Sequence, residues 1–344
     1  MRYCRIWFER VTLSEMKCDI LSESRTSFKN YMEVKYMKPE VQQYLDRVHE
    51  SDFAMLCEVD RICKKYNIQY YLHGGTMLGA VRHEDFIPWD DDVDILFLRE
   101  DYEKFLEVYE KEADPRFKLL RFEQYPQFFD FITKIADSEL TYEETTFGAE
   151  DFYDHRYSHP TLDLFVFDKE ADNHKWQLVR MKLLYALAMG HRPYVDYSKF
   201  SGAMKVVSFV LTTIGKLVPF KVIARKYMKL QRLGGVAQRA ASAAQGSRQA
   251  GEAQGEAVSS GMSSAPGADE TTLFISNEQP DPRYWGLDFD AEHLIYGPDT
   301  AKIRGREFPI PKHHDRWLKK TYGDYMSLPP EDKRVPMHVN VIKE

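Results

Sequence analysis

HGGTMLGAVRHEDFIPWDDDVDILFLR, at residues 73–99, is the most informative stretch of this chain. It joins a Gly-Gly-Thr turn to a run of four carboxylates at Asp90, Asp91, Asp92 and Asp94. Like charges this close repel one another unless water or a cation neutralises them. An apolar run ending at Leu98 follows and predicts a strand, in which alternate side chains share a face. Asp92 and Asp94 would then present two hard oxygen ligands side by side, which suits Mg²⁺ bound to phosphates.

Two other interpretations of the acidic run are open at this point. A charge run is often a solvated loop, without any ligand. An EF-hand calcium loop is the other alternative, since Asp90, Asp92 and Asp94 match its first, third and fifth positions. The sixth position of that loop requires Gly and the twelfth Glu, but this chain has Ile95 and Asp101 there. The spacing therefore disfavours the calcium loop.

Composition bounds the class of protein. The 344 residues are enough for one large or two modest domains, and 43% of them are hydrophobic and 29% charged, as in ordinary globular proteins. The formal net charge of −7 argues against nucleic-acid binding, which usually needs a basic face. The four cysteines lack C-x-x-C spacing, which predicts reduced thiols and a cytoplasmic protein. The N-terminus shows no secretory signal pattern.

One segment raises the question of membrane contact. Residues 206–218, VVSFVLTTIGKLV, form the longest apolar run, but it is too short for a membrane span and is followed by Pro219. Lysines and arginines surround it, so one interpretation is a helix on an anionic membrane surface, at the inner face of the cytoplasmic membrane. A helix docked on the domain is the alternative. The sequence leaves both open.

The chain divides into four parts by composition. Residues 1–37 show no clear period and are expected to be a flexible leader. Residues 38–232 and 272–344 carry globular patterns and are expected to form the catalytic core and its C-terminal part. Residues 233–271 are rich in Ala, Gly, Ser and Gln and lack aromatic residues, so they are predicted to be a disordered insertion.

Apolar periodicity predicts the secondary structure of the globular parts. Predicted helices are 39–66, a short one from Thr76 (as its cap) to about Val81, 101–112, 175–189 and 203–230. Predicted strands are 68–73, the acidic strand, 117–122, 128–135 and 161–167. The C-terminal segment 308–334 is expected to be irregular and to pack back on the core. The sum is an α/β (α+β) fold with a mixed sheet flanked by helices.

Three features together indicate a catalytic site. Gly74 and Gly75 break a strand just before a helix, where backbone can approach a phosphate. Asp92 and Asp94 supply two carboxylates. Asp163 interrupts an apolar strand. A buried carboxylate needs a partner such as a metal, and the alternative is that Asp163 lies at a hydrogen-bonded strand end. The set is typical of a nucleotidyltransferase-type site, in which Mg²⁺ bridges the carboxylates and a diphosphate.

The stretch GGTMLGAVRHEDFIPWDDDVDI resembles the signature of the LicD family of phosphotransferases. The resemblance continues into DYEKF at 101–105, LDLFVFD at 162–168 and YGDYMSLPPEDKR at 322–334, and covers residues 38–344 except the insertion. Val166 stands where the family often has Pro. The same signature occurs in fukutin-type enzymes of glycan assembly.

The resemblance implies a nucleotidyltransferase-like fold and a reaction. Phosphocholine, or a related phospho-alcohol, would pass from a CDP-linked donor to a hydroxyl of a glycan or lipid-linked glycan. It implies Mg²⁺, with Mn²⁺ as the alternative, held by Asp92, Asp94 and Asp163, the last also being the expected general base. Gly74, Gly75 and Thr76 would form the phosphate-facing turn.

Weaker candidates complete the predicted site. Arg82 is a candidate phosphate contact, with an ion pair to Glu84 or Asp85 as the alternative, and Lys134 is a second phosphate candidate. His83 is expected to be a packed helix end and Trp89 a core residue. Three basic residues near the C-terminus are candidates to approach the donor, or else belong to a solvated tail: Lys333, Arg334 and His338. The competing functions are transfer of a nucleotide itself and a non-catalytic glycan- or cation-binding module.

Overall fold

A computed structural model describes most of the globular parts of the chain. The described residues are 39–125, 128–140, 142–144, 159–169, 174–192, 195, 197, 200–233, 273–277, 299–334, 336 and 341–342. The predicted leader, and the predicted insertion apart from Leu233, lie outside them.

The described part contains seven α-helices and ten strands. The helices are α1 (Pro39–Tyr66), α2 (Gly74–His83), α3 (Arg99–Glu112), α4 (His174–Ala188), α5 (Gly202–Leu217), α6 (Phe220–Gln231) and α7 (His314–Tyr322). The strands are β1 (Tyr71–Leu72), β2 (Val93–Leu98), β3 (Phe117–Leu120), β4 (Thr133–Asp137), β5 (Tyr142–Glu144), β6 (Thr161–Lys169), β7 (Leu273–Ile275), β8 (Asp299–Ile303), β9 (Arg306–Ile310) and β10 (Val341–Ile342).

The main sheet is mixed and places β2 and β6 at its centre. Its order is β1-β2-β6-β4-β3, with β7 paired to the far end of β6. Strands β2 and β6 run parallel, whereas the other pairs in this sheet are antiparallel. Strand β2 is buried along nearly its whole length, which explains why its sequence is almost continuously apolar. The predicted mixed sheet flanked by helices is therefore confirmed.

Helices cover the sheet and supply most of the core. The long helix α1 follows the predicted 39–66 boundaries and buries Val48, Met55, Val59 and Ile62 completely. Helix α3 buries Tyr102, Phe105 and Tyr109, as its period predicts. A second apolar cluster lies around α6, where Phe220, Ile223 and Ala224 pack against aromatic residues that precede β4.

Several predicted boundaries are wrong. Strand β1 covers only two of the six residues predicted at 68–73, and β3 ends at Leu120 rather than at residue 122. Strand β4 begins at Thr133 instead of residue 128, because Phe128, Phe129 and Phe131 pack into the cluster around α6. The single helix predicted at 203–230 is two helices, since Pro219 breaks it and the axes bend by 112°.

The C-terminal part is more regular than the sequence predicts. Strands β8 and β9 form a hairpin, and α7 buries Trp317 and Leu318 in the main core. Asn277 joins β7 to the main sheet, because its side chain accepts a hydrogen bond from the Val166 amide at 2.9 Å and donates one to the Leu164 carbonyl at 2.7 Å. The expectation that this part packs back on the core is confirmed, but its irregularity is not.

Candidate active site

Two of the predicted carboxylates lie next to each other at the centre of the sheet. Asp94 on β2 and Asp163 on β6 are direct register partners of the parallel pair. Register partners on neighbouring strands point to the same face and lie about 4.8 Å apart along the backbone. Asp94 is buried and Asp163 is partly buried. The sheet thus brings together two acidic residues that are far apart in sequence.

Lys134 extends this row onto the third strand. It is the register partner of Asp163 on the β4 side, and its Nζ lies 2.6 Å from each carboxylate oxygen of Asp163. Burial raises the pKa of Asp163 above its usual value, Lys134 opposes that rise, and the charges of Asp92 and Asp130 add to it. The resulting row across three strands is Asp94, Asp163 and Lys134.

Asp92 lies just before β2 and is more exposed than its neighbours. Its negative charge contributes to the raised pKa of Asp163. The chemistry of this donor set suits a hard divalent cation, because every candidate ligand is a carboxylate oxygen. Within the described ranges, however, no three His, Cys, Asp or Glu side chains are grouped closely enough to hold a metal ion. The three-carboxylate ligand set therefore stays a prediction.

Helix α2 begins earlier than predicted and Thr76 has a different role. The helix starts at Gly74, whose φ of +53° is a conformation that glycine adopts readily. The N-cap residue is His73, and it makes no side-chain capping bond. The Thr76 hydroxyl instead accepts a hydrogen bond from the Asp94 amide at 2.8 Å. Thr76 is therefore a link between α2 and the strand that carries Asp94, not a helix cap.

Gly79 lets α2 pack closely against the backbone of residues 85–87, just after the helix. A Cβ at this position would lie 2.7 Å from the Asp85 carbonyl oxygen and 2.9 Å from the Ile87 amide nitrogen. Both contacts are to backbone, so the helix can pack this closely only with glycine. A glycine inside a helical pattern costs about 1 kcal/mol relative to Ala, and this cost is the sequence signal for a close contact.

Arg82 lies at the opposite end of α2 from the Gly-Gly-Thr segment. Arg82 is eight positions after Gly74 on the helix, which corresponds to about 12 Å along the axis. The Arg82 guanidinium donates to the Tyr325 carbonyl at 2.9 Å and to the His83 ring at 2.9 Å. Among the described ion pairs, Asp85 pairs with Arg304 at 3.6 Å, and Arg82 pairs with neither Glu84 nor Asp85. One phosphate could not touch both ends of this helix.

The weaker candidates divide between packed and exposed positions. His83 is the last residue of α2, and burial followed by the Arg82 charge lowers its pKa. Trp89 is partly buried against the core, and the Arg334 guanidinium lies 5.8 Å from its ring centre. Lys333 is exposed, and His338 lies outside the described residues.

Helix α1 contributes polar residues that sequence reasoning missed. The His49 Nε2 donates to the Asp90 carbonyl at 2.7 Å, and the Tyr44 hydroxyl donates to Asp91 at 3.3 Å. Asp52 is fully buried, and in the described part of the chain neither of its carboxylate oxygens has a hydrogen-bond partner. Burial, then the charges of Asp92, Asp91 and Asp90, raise the pKa of Asp52 well above its usual value. The signal was available, because these polar residues interrupt the apolar face of α1.

A buried ion pair fixes the far end of the two central strands. Arg99, at the start of α3, donates two hydrogen bonds to Asp168 on β6, at 3.0 and 2.6 Å. The same guanidinium reaches the Ser276 hydroxyl at 3.3 Å. This contact locks β6, α3 and the segment after β7 together, at a distance of several residues from Asp94 and Asp163.

Comparison with known proteins places this site in a family. Residues 67–186 match the family model described as LicD/FKTN/FKRP, nucleotidyltransferase domain. Lipopolysaccharide cholinephosphotransferase LicD of Haemophilus influenzae is 26% identical over 287 residues, which cover 81% of this chain and 89% of that protein. Ribitol 5-phosphate transferase FKRP of Homo sapiens is 56% identical over 34 residues, only 10% of this chain and 7% of that protein.

The family match and the central sheet agree. The matched residues include β2 and β6 with Asp94 and Asp163, as well as helix α2 and Lys134. The similarity to the Haemophilus influenzae protein extends well beyond them into the rest of the chain. Residues 67–186 are therefore a LicD-type nucleotidyltransferase domain, as the signature predicts, and the similarity to a LicD phosphotransferase continues beyond this domain.

Proposed function

We propose that this enzyme transfers phosphocholine, or a related phospho-alcohol, from a CDP-linked donor to a hydroxyl of a cell-surface glycan. The observation that carries the proposal is the row of Asp94, Asp163 and Lys134 across three neighbouring strands. Paired carboxylates can hold a divalent cation that binds a phosphoryl group, and a carboxylate can also receive a proton. The activities in the names of the two relatives, transfer of cholinephosphate and of ribitol 5-phosphate, support the same class of reaction.

A divalent metal belongs to this proposal. Asp92, Asp94 and Asp163 would hold Mg²⁺, or Mn²⁺ in its place, through carboxylate oxygens. When bound, the ion would neutralise negative charge on the diphosphate of the donor. The Lys134 ammonium, which contacts Asp163, adds a second positive charge near the same position.

The reaction requires one bond to form and one to break. The acceptor hydroxyl oxygen would form a bond to the phosphorus that bears the alcohol. The bond between this phosphorus and the bridging oxygen would break, and CMP would leave with the electron pair. Asp163 would take the proton of the acceptor hydroxyl, which is the role that the family resemblance implies for it.

Donor binding would use both ends of α2. The first amides of a helix have no acceptor within the helix, so Gly74, Gly75 and Thr76 suit a phosphate. Arg82, about 12 Å along the axis, would contact a different part of the donor. A CDP-linked alcohol is an extended molecule that could reach both positions, whereas a single phosphate could not.

The acceptor would be a glycan or a lipid-linked glycan, and the reaction would take place in the cytoplasm at the inner face of a membrane. This proposal rests on the cytosolic occurrence of CDP-linked donors. Within the described residues, no single helix is both long enough and apolar enough to cross a bilayer, although the bent pair α5 and α6 passes the same criterion when taken together.

The experiment compares several CDP-linked donors and measures one product, CMP. Purified protein and Mg²⁺ are incubated with CDP-choline, CDP-ribitol, CDP-glycerol or CDP-ethanolamine, with and without EDTA, and CMP is measured. We expect CMP from one donor. EDTA should abolish the CMP release, and so should each of the variants Asp94→Asn and Asp163→Asn. Glu107→Gln, at an exposed carboxylate on α3 that belongs to none of the proposed site residues, is the matched control and should keep full activity. Metal-independent CMP release, or release by both site variants, would contradict the proposal.

A further inference from the structure

Helix α5 presents an unusual number of large apolar side chains to the outside. The exposed fractions of these side chains range from 44% at Val207 to 81% at Leu217. Four of these residues form a single stripe along the helix, at spacings of four, four and three residues: Val206, Val210, Ile214 and Leu217. An exposed apolar patch of this size on a folded domain marks a surface that contacts another molecule or a membrane.

The inward face of α5 has the opposite composition. A Cβ at Gly215 would overlap the Leu187 carbonyl oxygen, and a Cβ at Gly190 would overlap the Thr212 carbonyl oxygen. The helix therefore docks on the α4 region through backbone contacts at glycines, beside the buried Thr212. Small residues inside and large apolar residues outside are the pattern of helices that pack in lipid, and the reverse of a helix in water.

The charge around this helix is complementary to an anionic surface. Residues 174–233 contain twelve Lys and Arg residues and one acidic residue, Asp196, although the whole chain has a net charge of −7. Helix α6 directs its basic residues outward while Phe220, Ile223 and Tyr227 are buried in the domain. The exposed basic residues of α6 are Lys221, Arg225, Lys226 and Lys229.

We infer that α5 lies in the interfacial layer of a membrane rich in anionic phospholipid, with the basic face of α6 at the level of the headgroups. The bend of 112° between the two helices lets α5 insert while α6 stays packed on the domain. A second copy of the chain is the poorer occupant, because a symmetric dimer through this face would bring like-charged surfaces together. The inference is independent of the proposed reaction, since it concerns binding.

The test is sedimentation of the full chain with vesicles. Wild-type protein should bind vesicles of phosphatidylcholine mixed with phosphatidylglycerol, bind weakly to phosphatidylcholine alone, and dissociate as salt increases. The triple variant Val206→Gln, Val210→Gln, Leu217→Gln should lower the partition coefficient by a factor on the order of ten or more. Met326→Gln with Leu328→Gln, which changes exposed apolar residues outside the stripe, is the control and should bind like wild type.

The outcomes separate the possible occupants of this face. Unchanged vesicle binding by the triple variant would overturn the inference. A lower thermal midpoint of the triple variant, with vesicle binding retained, would mean that another segment of this chain covers the stripe. A change from dimer to monomer in analytical ultracentrifugation, without lipid dependence, would assign the face to a second copy. Activity is not measured in this experiment, so a failure of the proposed reaction would not affect it.

Discussion

Lys134 and Asp163 face each other across β4 and β6, and the Lys134 Nζ is equidistant, at 2.6 Å, from the two carboxylate oxygens of Asp163. Both side chains are largely buried, with exposed fractions of 9% and 15%. Their pairing explains how the sheet tolerates a carboxylate next to Asp94. Each charge of this pair needs the other, because a buried charge without a partner is strongly destabilising.

Removal of the positive charge of Lys134 is expected to lower both stability and activity. Lys134→Met leaves Asp163 buried without its partner, and such a loss costs about 3 kcal/mol. Urea denaturation should show the loss of stability, and CMP release should fall in protein that is still folded. Lys134→Arg retains the charge and should recover most of the stability. Equal stability of Lys134→Met and wild type would show that the ion pair does not form in solution.

The hydrogen bond between Thr76 and the Asp94 amide gives a second prediction. Thr76→Val has nearly the same shape but leaves the buried amide without this acceptor, which costs about 1 to 3 kcal/mol. Thr76→Ser retains the hydroxyl and should lose less. Thermal unfolding of the two variants checks the difference, and Thr76→Val should also lower CMP release because Asp94 shifts. If serine and valine behave alike, the hydroxyl does not hold β2.

The ion pair between Arg99 and Asp168 should matter for stability alone. Arg99→Met leaves the buried Asp168 carboxylate unpaired and should lower the free energy of unfolding by about 3 to 5 kcal/mol. The double variant Arg99→Met, Asp168→Leu removes both charges and should be more stable than either single variant. A double-mutant cycle by urea denaturation measures the coupling, and a coupling near zero would contradict the contact. Specific activity of folded protein should stay near that of wild type.

Acid sensitivity should depend on Asp137. Burial alone would raise the pKa of this carboxyl, but hydrogen bonds from Arg116 and Ser51 outweigh that effect and hold the pKa below its usual value of 3.8. A lowered pKa stabilises the fold above pH 3.8, and the contribution disappears as the pH falls through the lower, folded value.

Asp137→Asn tests this assignment. At neutral pH the variant should lose about 2 kcal/mol, because it loses charged hydrogen bonds. Below pH 3.8 the gap between wild type and variant should narrow, since the wild-type carboxyl is then protonated on unfolding. Thermal midpoints measured across this range give the result. A constant gap down to the most acid pH would assign the stabilisation to another group.

Local patterns predicted the elements whose sequence is strongly periodic or strongly acidic. Apolar spacing predicted helix α1, helix α3 and strands β2 and β6. The sequence indicated the acidic residues 92, 94 and 163 as candidates because they lie in or beside such apolar runs. The aromatic residues 128–131 misled the strand prediction, because they pack around α6 rather than in the sheet. Packing against a distant helix overrides a local propensity.

Contacts between distant residues could not be predicted from spacing. Lys134 and Asp163 are 29 positions apart, and Arg99 and Asp168 are 69 apart, so only the strand order brings them together. The role of Thr76 was missed for the same reason, since its partner is the Asp94 amide 18 positions away. The break between α5 and α6 was predictable, because Pro219 cannot continue a helix.

In the proposed reaction, the acceptor hydroxyl attacks the phosphorus that bears the alcohol. The most direct measurement is ³¹P NMR of a reaction that contains the enzyme, Mg²⁺, the preferred CDP-linked donor and a glycan acceptor. The diphosphate signals should be replaced by those of CMP and a new phosphodiester, and Asp163→Asn should prevent the change. Pyrophosphate from a nucleoside triphosphate, with a nucleotide attached to the acceptor, would rule out this reaction and establish nucleotidyl transfer instead.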